Sequence, residues 1–348
     1  MKSSAIAILL FISTVCFGQF AGKGGVNFVK GNLRTPFDLA KSQNKKVFIE
    51  VFSPTCHVCQ SFIPIFDSPA VGSVYNQNFV SFKADINSQE TIAFLLKQKI
   101  YITSIPLLLY FDKDVNLQHI GIMGEGMNQN SIVLNTATAA LDPKQNAAGC
   151  GARYKAGLRD PGFLIDYGYY SRIQCDTNTV IKVMNDYAKT QSKTDMSNAT
   201  NFMILQKIIL DADNGLFTTM MGNLNQFYAK YPKQQVNTTA ESIIMATLYS
   251  SRARTFSIAK IAALRGYMSK LGIDAKSVEN RTLMPELNIL FAQRQAQAGL
   301  ERIKQYIKVA APGPKEYEFL CNFVRSKTQD PIILNQITDW CKKGGVKP

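Results

Sequence analysis

The chain has 348 residues, 46% of them hydrophobic, and a formal net charge of +14 from 39 Lys+Arg against 25 Asp+Glu. That length is enough for two domains with cores of their own, so disulfides would be additions to the fold rather than conditions for it. The positive charge is scattered, with no Lys/Arg run longer than two; it reads as a solvated basic surface, and nothing resembles a nucleic-acid module.

The chain opens "MKSSAIAILLFISTVCFGQF", with Lys2, 13 mostly apolar residues from Ala5 to Phe17, and small Gly18. This layout predicts a secretory signal over residues 1–18, cleaved after Gly18. Spanning a bilayer takes about 20 apolar residues, more than this run offers. Cys16 raises a lipid-anchored alternative, against which Val15 stands as a large residue where such anchors have Gly, Ala or Ser. No later segment is long and apolar enough for a membrane helix, so the expectation is a soluble, exported protein. Removing the signal leaves Cys56, Cys59, Cys150, Cys175, Cys321 and Cys341, an even number in a compartment that permits disulfides.

From Thr35 to about Leu141 helix and strand patterns alternate. "TPFDLAKSQNK" predicts a helix with Thr35 as N-cap and Pro36 at N1. "KVFIEVF" suits a strand buried on both faces. A helical stretch follows Cys56, then "NFVSFKADI" as a strand and "SQETIAFLLKQK" as a helix. "IPLLLYF", the turn "DKD" and "LQHIGIM" read as a hairpin, and "NQNSIVLNTATAAL" closes the unit as a helix. The order is α/β with a mixed sheet flanked by helices.

Between the first strand and its helix lies "TCHVCQ". Cys56 and Cys59 in this spacing suit a redox pair, half of a zinc site, or two buried thiols. A structural zinc site needs four ligands, usually with a second Cys/His pair at short spacing. His119, Cys150, Cys175, Cys321 and Cys341 are isolated in the sequence, so no metal and no cofactor are expected. His119, in the last strand, reads as structural.

The segment resembles the thioredoxin fold. The C-x-x-C follows a strand and opens a helix. Pro64, eight residues after Cys56, matches the family's helix-kinking proline, and Glu50, six residues before Cys56, its buried carboxylate. "TSIPLLLYFDKD" matches the strand after the family's cis-proline, which makes Pro106 that proline and Ile105 the residue before it. "NQNFVSFKADI" is similar to the subgroup of periplasmic thiol:disulfide interchange proteins. The resemblance covers about a third of the chain. Thr55 replaces the family's tryptophan and His57-Val58 replace its Gly-Pro, which leaves redox potential and partner choice open.

The resemblance implies roles for these residues. Cys56 at a helix N-terminus would be held as thiolate by unpaired N–H groups and the helix dipole, and would act as nucleophile. Cys59, one turn on, would be the more buried resolving thiol. Glu50 would exchange a proton with Cys59, with burial raising its pKa. His57 would tune the site when protonated, or stand as a surface residue. A cis Ile105–Pro106 bond would set the Ile105 backbone beside the sulfurs, ready to pair with an extended client.

Residues 142–162, "DPKQNAAGCGARYKAGLRDPG", read as a linker, and beyond them strands disappear. Paired helical patterns run through "FLIDYGYYSRI" and "NTVIKVMNDYAKT", "NFMILQKIILDA" and "LFTTMMGNLNQFYAKYP", "AESIIMATLYSS" and "FSIAKIAALRGYMSKLG", then "ELNILFAQRQAQ" and "GLERIKQYIKVAAP". Tyr187, Tyr228, Tyr267, Tyr306 and Trp340 recur 41, 39, 39 and 34 residues apart. That period suggests an all-α helical-hairpin repeat, a TPR-like solenoid. Cys150 with Cys175 and Cys321 with Cys341 are the suggested pairings, among 15 that six cysteines allow.

The expected organisation is a signal over residues 1–18, a thioredoxin-like domain over 19–145, a linker over 146–160 and a helical repeat domain over 161–348. The expected function is an exported, periplasmic thiol–disulfide oxidoreductase of reductase or isomerase type. Its partners would be client proteins with disulfides or thiols and a membrane electron donor, with the helical domain binding a protein. The alternative is an interaction scaffold with an inert thioredoxin-like domain.

Overall fold

The structure is a computed structural model, and it describes residues 24–192 and 196–346. The signal and Cys16 expectations fall on residues 1–18, outside the described residues. The chain divides into two compact units: the part up to Leu95 together with Ser104–Gly149, and Leu96–Thr103 together with Cys150 onward. No helix among the described residues is long and apolar enough to cross a membrane.

The first unit runs α1 (Thr35–Gln43), β1 (Lys46–Phe52), α2 (His57–Ser61), α3 (Ile63–Phe66), α4 (Pro69–Asn78), β2 (Phe79–Asp85), α5 (Gln89–Lys97), β3 (Leu107–Phe111), β4 (Leu117–Ile122) and α6 (Asn130–Leu141). The sheet order is β2-β1-β3-β4, with β1 parallel to β2 and antiparallel to β3, and β4 antiparallel at the edge. β1 is central and covered on both faces, which is why its apolar run is continuous. One face carries Phe37, Phe94 and Phe111 in mutual ring contact. The other carries Phe48, Tyr75 and Tyr110, packed with Phe62 and Phe66. The Tyr75 and Tyr110 hydroxyls meet at 2.6 Å, which satisfies two polar groups inside an apolar core. Thr35 stands at the first helical position of α1 rather than at its cap; the Asn32 carboxamide oxygen accepts the Thr35 N–H at 3.2 Å.

The stretch expected as a linker holds a 3-10 turn at Ala147–Gly149 and helix α7 (Cys150–Lys155). Cys150 and Tyr154 are buried there, so its Gly and Pro residues punctuate helical turns instead of forming a free tether.

The second unit continues with α8 (Pro161–Ile173), α9 (Thr177–Thr190), α10 (Ala199–Lys207), α11 (Gly215–Gly222), α12 (Leu224–Lys230), α13 (Lys233–Leu248), α14 (Ile258–Lys270), α15 (Ala275–Ala292), α16 (Ala296–Ala310), α17 (Pro314–Lys327), α18 (Pro331–Gln336) and α19 (Thr338–Lys343). Helices begin where Asp, Asn or Ser can cap them: Asp160, Asp176, Asn198, Asn214, Ser257, Asp274 and Asp330 each accept a backbone N–H from the first turn. α8 packs on α9, α13 on α14, α15 on α16 and α17 on α19. Gly168 lies at the first of these approaches, against the flexible end of the Met184 side chain. Tyr187 and Tyr228 each donate to an Asn on the following helix, Asn201 at 2.8 Å and Asn237 at 2.7 Å.

Two helices depart from the sequence reading. The segment from Leu216 to Pro232 breaks at Asn223 into α11 and α12. α15 begins at Ala275 and carries Pro285 inside it. Pro285 has no N–H for the Arg281 carbonyl oxygen, and the Tyr249 hydroxyl donates to that oxygen at 3.0 Å instead. Cys321 and Cys341 form a disulfide between α17 and α19, Cα–Cα 5.1 Å, a cross-link worth about 3 kcal/mol in the chain-entropy account. Cys150 and Cys175 are not joined: Cys150 is buried against the Arg153 guanidinium at 3.1 Å, and Cys175 is exposed, with φ 57°, in the α8–α9 turn.

Candidate active site

Cys56 follows β1 as the N-cap of α2, with extended φ −81° and ψ 108°. Its position is set by a short turn: the Cys56 N–H donates to the Ser53 carbonyl oxygen at 3.1 Å, and the Gln60 side-chain amide donates to the Pro54 carbonyl oxygen at 2.8 Å. The Cys56 Sγ takes the place an Asp or Ser oxygen takes at other helix starts and accepts the Cys59 N–H at 3.1 Å. Cys56 and Cys59 form a disulfide, Cα–Cα 5.2 Å. Cys59 is 4% exposed while Cys56 is half-buried, so the two residues of the pair differ in their access to solvent. His57 is exposed beside them.

Pro64 sits in the first turn of α3. Lacking an N–H, it cannot continue the ladder from Gln60, and the helix breaks at Phe62 into α2 and α3. The break turns Phe62 and Phe66 into the core beneath the cysteines.

On the loop before β3 the Ile105–Pro106 peptide bond is cis. The Ile105 carbonyl oxygen lies 3.8 Å from Cys56 Sγ. Pro106 is buried and Ile105 half-buried, and the Pro106 carbonyl oxygen accepts the Met123 N–H at 3.4 Å. The chain thus brings Cys56, Cys59 and Ile105 to one place.

Glu50 is 1% exposed, on the β1 face that α2 to α4 cover, since it alternates with Phe48 and pairs with Leu108. Its cross-strand neighbour in β2 is Lys83, whose Nζ lies 3.1 Å from Glu50 Oε2. The contact is an ion pair without hydrogen-bond alignment. Burial pushes the Glu50 carboxyl above its ordinary value of 4.5, and the Lys83 ammonium partly offsets that push. Lys83 lies 4.7 Å from the Phe28 ring centroid and 5.6 Å from that of Phe52. Lys83 is the site residue that sequence reasoning missed: its place opposite Glu50 follows from parallel register, which neither strand specifies alone.

The sign of the Glu50 shift fixes a pH dependence. Folded chains keep its proton at pH values where unfolded chains have lost theirs. The resulting stability is full below the ordinary value of 4.5 and is lost as pH rises through the raised one. Glu50→Gln removes this loss, while the Lys83 ammonium, 32% exposed, stays solvated. Stability of the variant relative to wild type should therefore rise with pH, read by urea unfolding from about pH 4 to 8. A difference flat across that range would count against a protonation-coupled Glu50.

His119 accepts the Ala147 N–H on Nδ1 at 3.1 Å and packs against the Tyr110 ring, which is a structural role. Among the described residues no cluster of three or more His, Cys, Asp or Glu could hold a metal ion. No protein-family model matches the chain, and no curated protein matches it to a significant degree.

Proposed function

We propose that the chain is a thiol–disulfide oxidoreductase whose first unit is a thioredoxin-type domain and whose second is a TPR-like array that recognises a protein. The observation that carries this reading is the asymmetry of the pair: a half-buried Cys56 whose sulfur accepts a helix N–H, paired with a buried Cys59. A sulfur that accepts an N–H at a helix start is favoured as thiolate, the form that attacks disulfides.

The Cys56 thiolate attacks one sulfur of a client disulfide, forming a Cys56–client bond and expelling the other client sulfur as thiolate. Cys59 loses its proton to Glu50 and attacks the Cys56 sulfur, closing the Cys56–Cys59 disulfide and releasing the second client thiol. Two electrons pass from the pair to the client. A reductase then needs a donor to restore the dithiol, and in an exported protein that donor is a membrane protein. An isomerase instead leaves Cys56 by attack of a client thiol. The backbone at Ile105, beside Cys56, supplies the carbonyl oxygen against which an extended client strand pairs.

Measuring the reduction potential of the Cys56–Cys59 pair, with reduction of insulin by the dithiol form, tests this reading. A potential near the thioredoxin value of about −270 mV supports a reductase, and one above about −200 mV an isomerase or oxidant. A dithiol form that leaves insulin oxidised favours a binding scaffold.

A further inference from the structure

We infer that Phe28, on the segment 25–29 ahead of α1, is a positioning residue of the proposed site: it holds the Lys83 ammonium against Glu50 and so sets the pH range over which a client is released. The inference rests on the oxidoreductase reading and concerns the first unit alone. Three aromatic rings surround the Lys83 Nζ, with centroids at 4.7 Å for Phe28, 5.6 Å for Phe52 and 5.8 Å for Phe66. The negative face of an aromatic ring attracts a cation placed over it. A lysine head on its flexible stem otherwise turns toward water, and the Lys83 side chain keeps 32% exposure even here. Phe52 closes β1 and Phe66 lies in α3, so both are placed with those elements. Phe28 belongs to no helix or strand of the unit, and its docking has to be built separately.

That docking is extensive. Phe28 bridges in parallel to Ser81, two residues before Lys83, and the Val29 N–H donates to the Ser81 carbonyl oxygen at 2.8 Å. The Val26 N–H donates to the Phe66 carbonyl oxygen at 2.6 Å. Asn76 of α4 accepts the Asn27 N–H on Oδ1 at 2.8 Å and donates its amide to the Gly25 carbonyl oxygen at 3.1 Å. Gly25 and Gly72 allow this approach: a Cβ on Gly72 would overlap the Gly25 carbonyl group, and one on Gly25 the Phe66 carbonyl oxygen. The Phe28 ring then meets Phe66 edge-on, centroids 5.6 Å apart.

On this side of the sheet α3, α4, α6 and β3 carry no Asp, Glu, Lys or Arg. The titratable groups there are Cys56, His57 and Cys59 at α2, Lys46 on β1, Lys83 and Asp85 on β2, Lys30 after the segment, Asp67 after α3, and the Tyr75 and Tyr110 phenols. Lys46 is bonded to the Ala140 carbonyl oxygen and Asp85 to Asn87, while burial pushes both phenols up so that they keep their protons. Among the described residues Lys83 is the cation paired with Glu50. Glu50 must be ionised to take the Cys59 proton; the ammonium favours that form and burial opposes it. A Lys83 free to swing into water leaves burial unopposed. Glu50 then keeps its proton to higher pH, and release slows on the acid side.

The test follows release of peptide thiol from the Cys56 adduct by stopped flow, at saturating peptide disulfide, from about pH 5 to 9. The full chain carries Phe28→Leu, which keeps apolar bulk and loses the ring face. The expected result is release about threefold slower on the acid side of the profile, converging with wild type on the alkaline side. Phe28→Tyr, which keeps the ring, should restore the wild-type profile. Iodoacetamide alkylation of Cys56, which needs no proton acceptor for Cys59, should stay within about twofold of wild type. In a Lys83→Met background Phe28→Leu should change the profile no further, because the cation it positions is gone. If Phe28→Leu does not fold, Asn76→Ala loosens the segment without touching the ring and should move the acid limb in the same direction. An acid limb unmoved, a slowing uniform in pH, or an equal shift in the Lys83→Met background overturns the inference and leaves the oxidoreductase reading standing. A wild-type chain that is alkylated at Cys56 yet releases no peptide thiol at any pH overturns both.

Discussion

Cys56→Ser is expected to lower disulfide exchange by about a thousandfold or more, because on the proposed reading it removes the atom that forms the bond to the client. A serine hydroxyl at this place is not ionised near neutral pH, and the N–H of Cys59 cannot lower its pKa far enough to matter. Cys59 does not substitute for the lost sulfur, since at 4% exposure it cannot meet a disulfide held in a folded client. Cys59→Ser has a different signature. Attack by Cys56 proceeds, but the sulfur that should displace the client is gone, so the intermediate accumulates as a covalent Cys56–client species. Non-reducing electrophoresis with mass spectrometry of the adduct reads the second result, and single-turnover exchange with a peptide disulfide reads the first. Exchange by Cys56→Ser within about tenfold of wild type would place the reactive sulfur elsewhere. Cys175, exposed and unpaired, is then the thiol to replace next.

How much of this was legible in the sequence depends on how local each feature is. β1 could be read from "KVFIEVF" because a strand covered on both faces must be apolar throughout, and Lys46–Phe52 is that stretch. Cys56 as the opening residue of a helix was legible from the strand before it and Pro64 after it. The partner of Glu50 was not, since the crossover through α2, α3 and α4 decides which β2 residue comes opposite. α15 is legible in the sequence only from Glu286 onward, since Pro285 strands a helix carbonyl unless another group serves it. The Tyr249 hydroxyl does so from 36 positions upstream of that proline, and only the fold brings it there. The spacing of the late aromatics was visible, but their environments differ: Tyr187, Tyr306 and Trp340 are buried while Tyr228 and Tyr267 are half-buried.

Arg302→Ala destabilises the helical unit by about 3–5 kcal/mol, the largest expected effect away from the cysteines. Arg302 lies 7% exposed on α16 among carboxylates from α15, at 6% for Glu279 and 3% for Glu286. Its guanidinium pairs with Glu279 at 2.6 Å and with Glu286, while Arg265 of α14 pairs with both carboxylates from the other side, 3.2 Å from Glu286. Two cations and two anions balance, and Arg302 also lies 3.4 Å from the Thr282 hydroxyl. Truncating Arg302 leaves two buried carboxylates to one guanidinium, so the cost is an uncompensated charge as well as a lost contact. The loss should appear as a lower urea midpoint followed by circular dichroism at 222 nm. Disulfide exchange at Cys56 should persist below the new midpoint. A change under about 1 kcal/mol would mean the carboxylates find water or protons when unpaired. The companion variant separates pairing from burial. Replacing Arg302, Glu279, Glu286 and Arg265 together by apolar residues of similar volume removes the charges and their desolvation at once, and is expected to restore stability to within about 2 kcal/mol of wild type. Such a result would assign the network to specifying how α14, α15 and α16 meet, since an apolar substitute can hold three helices together without fixing which turn faces which.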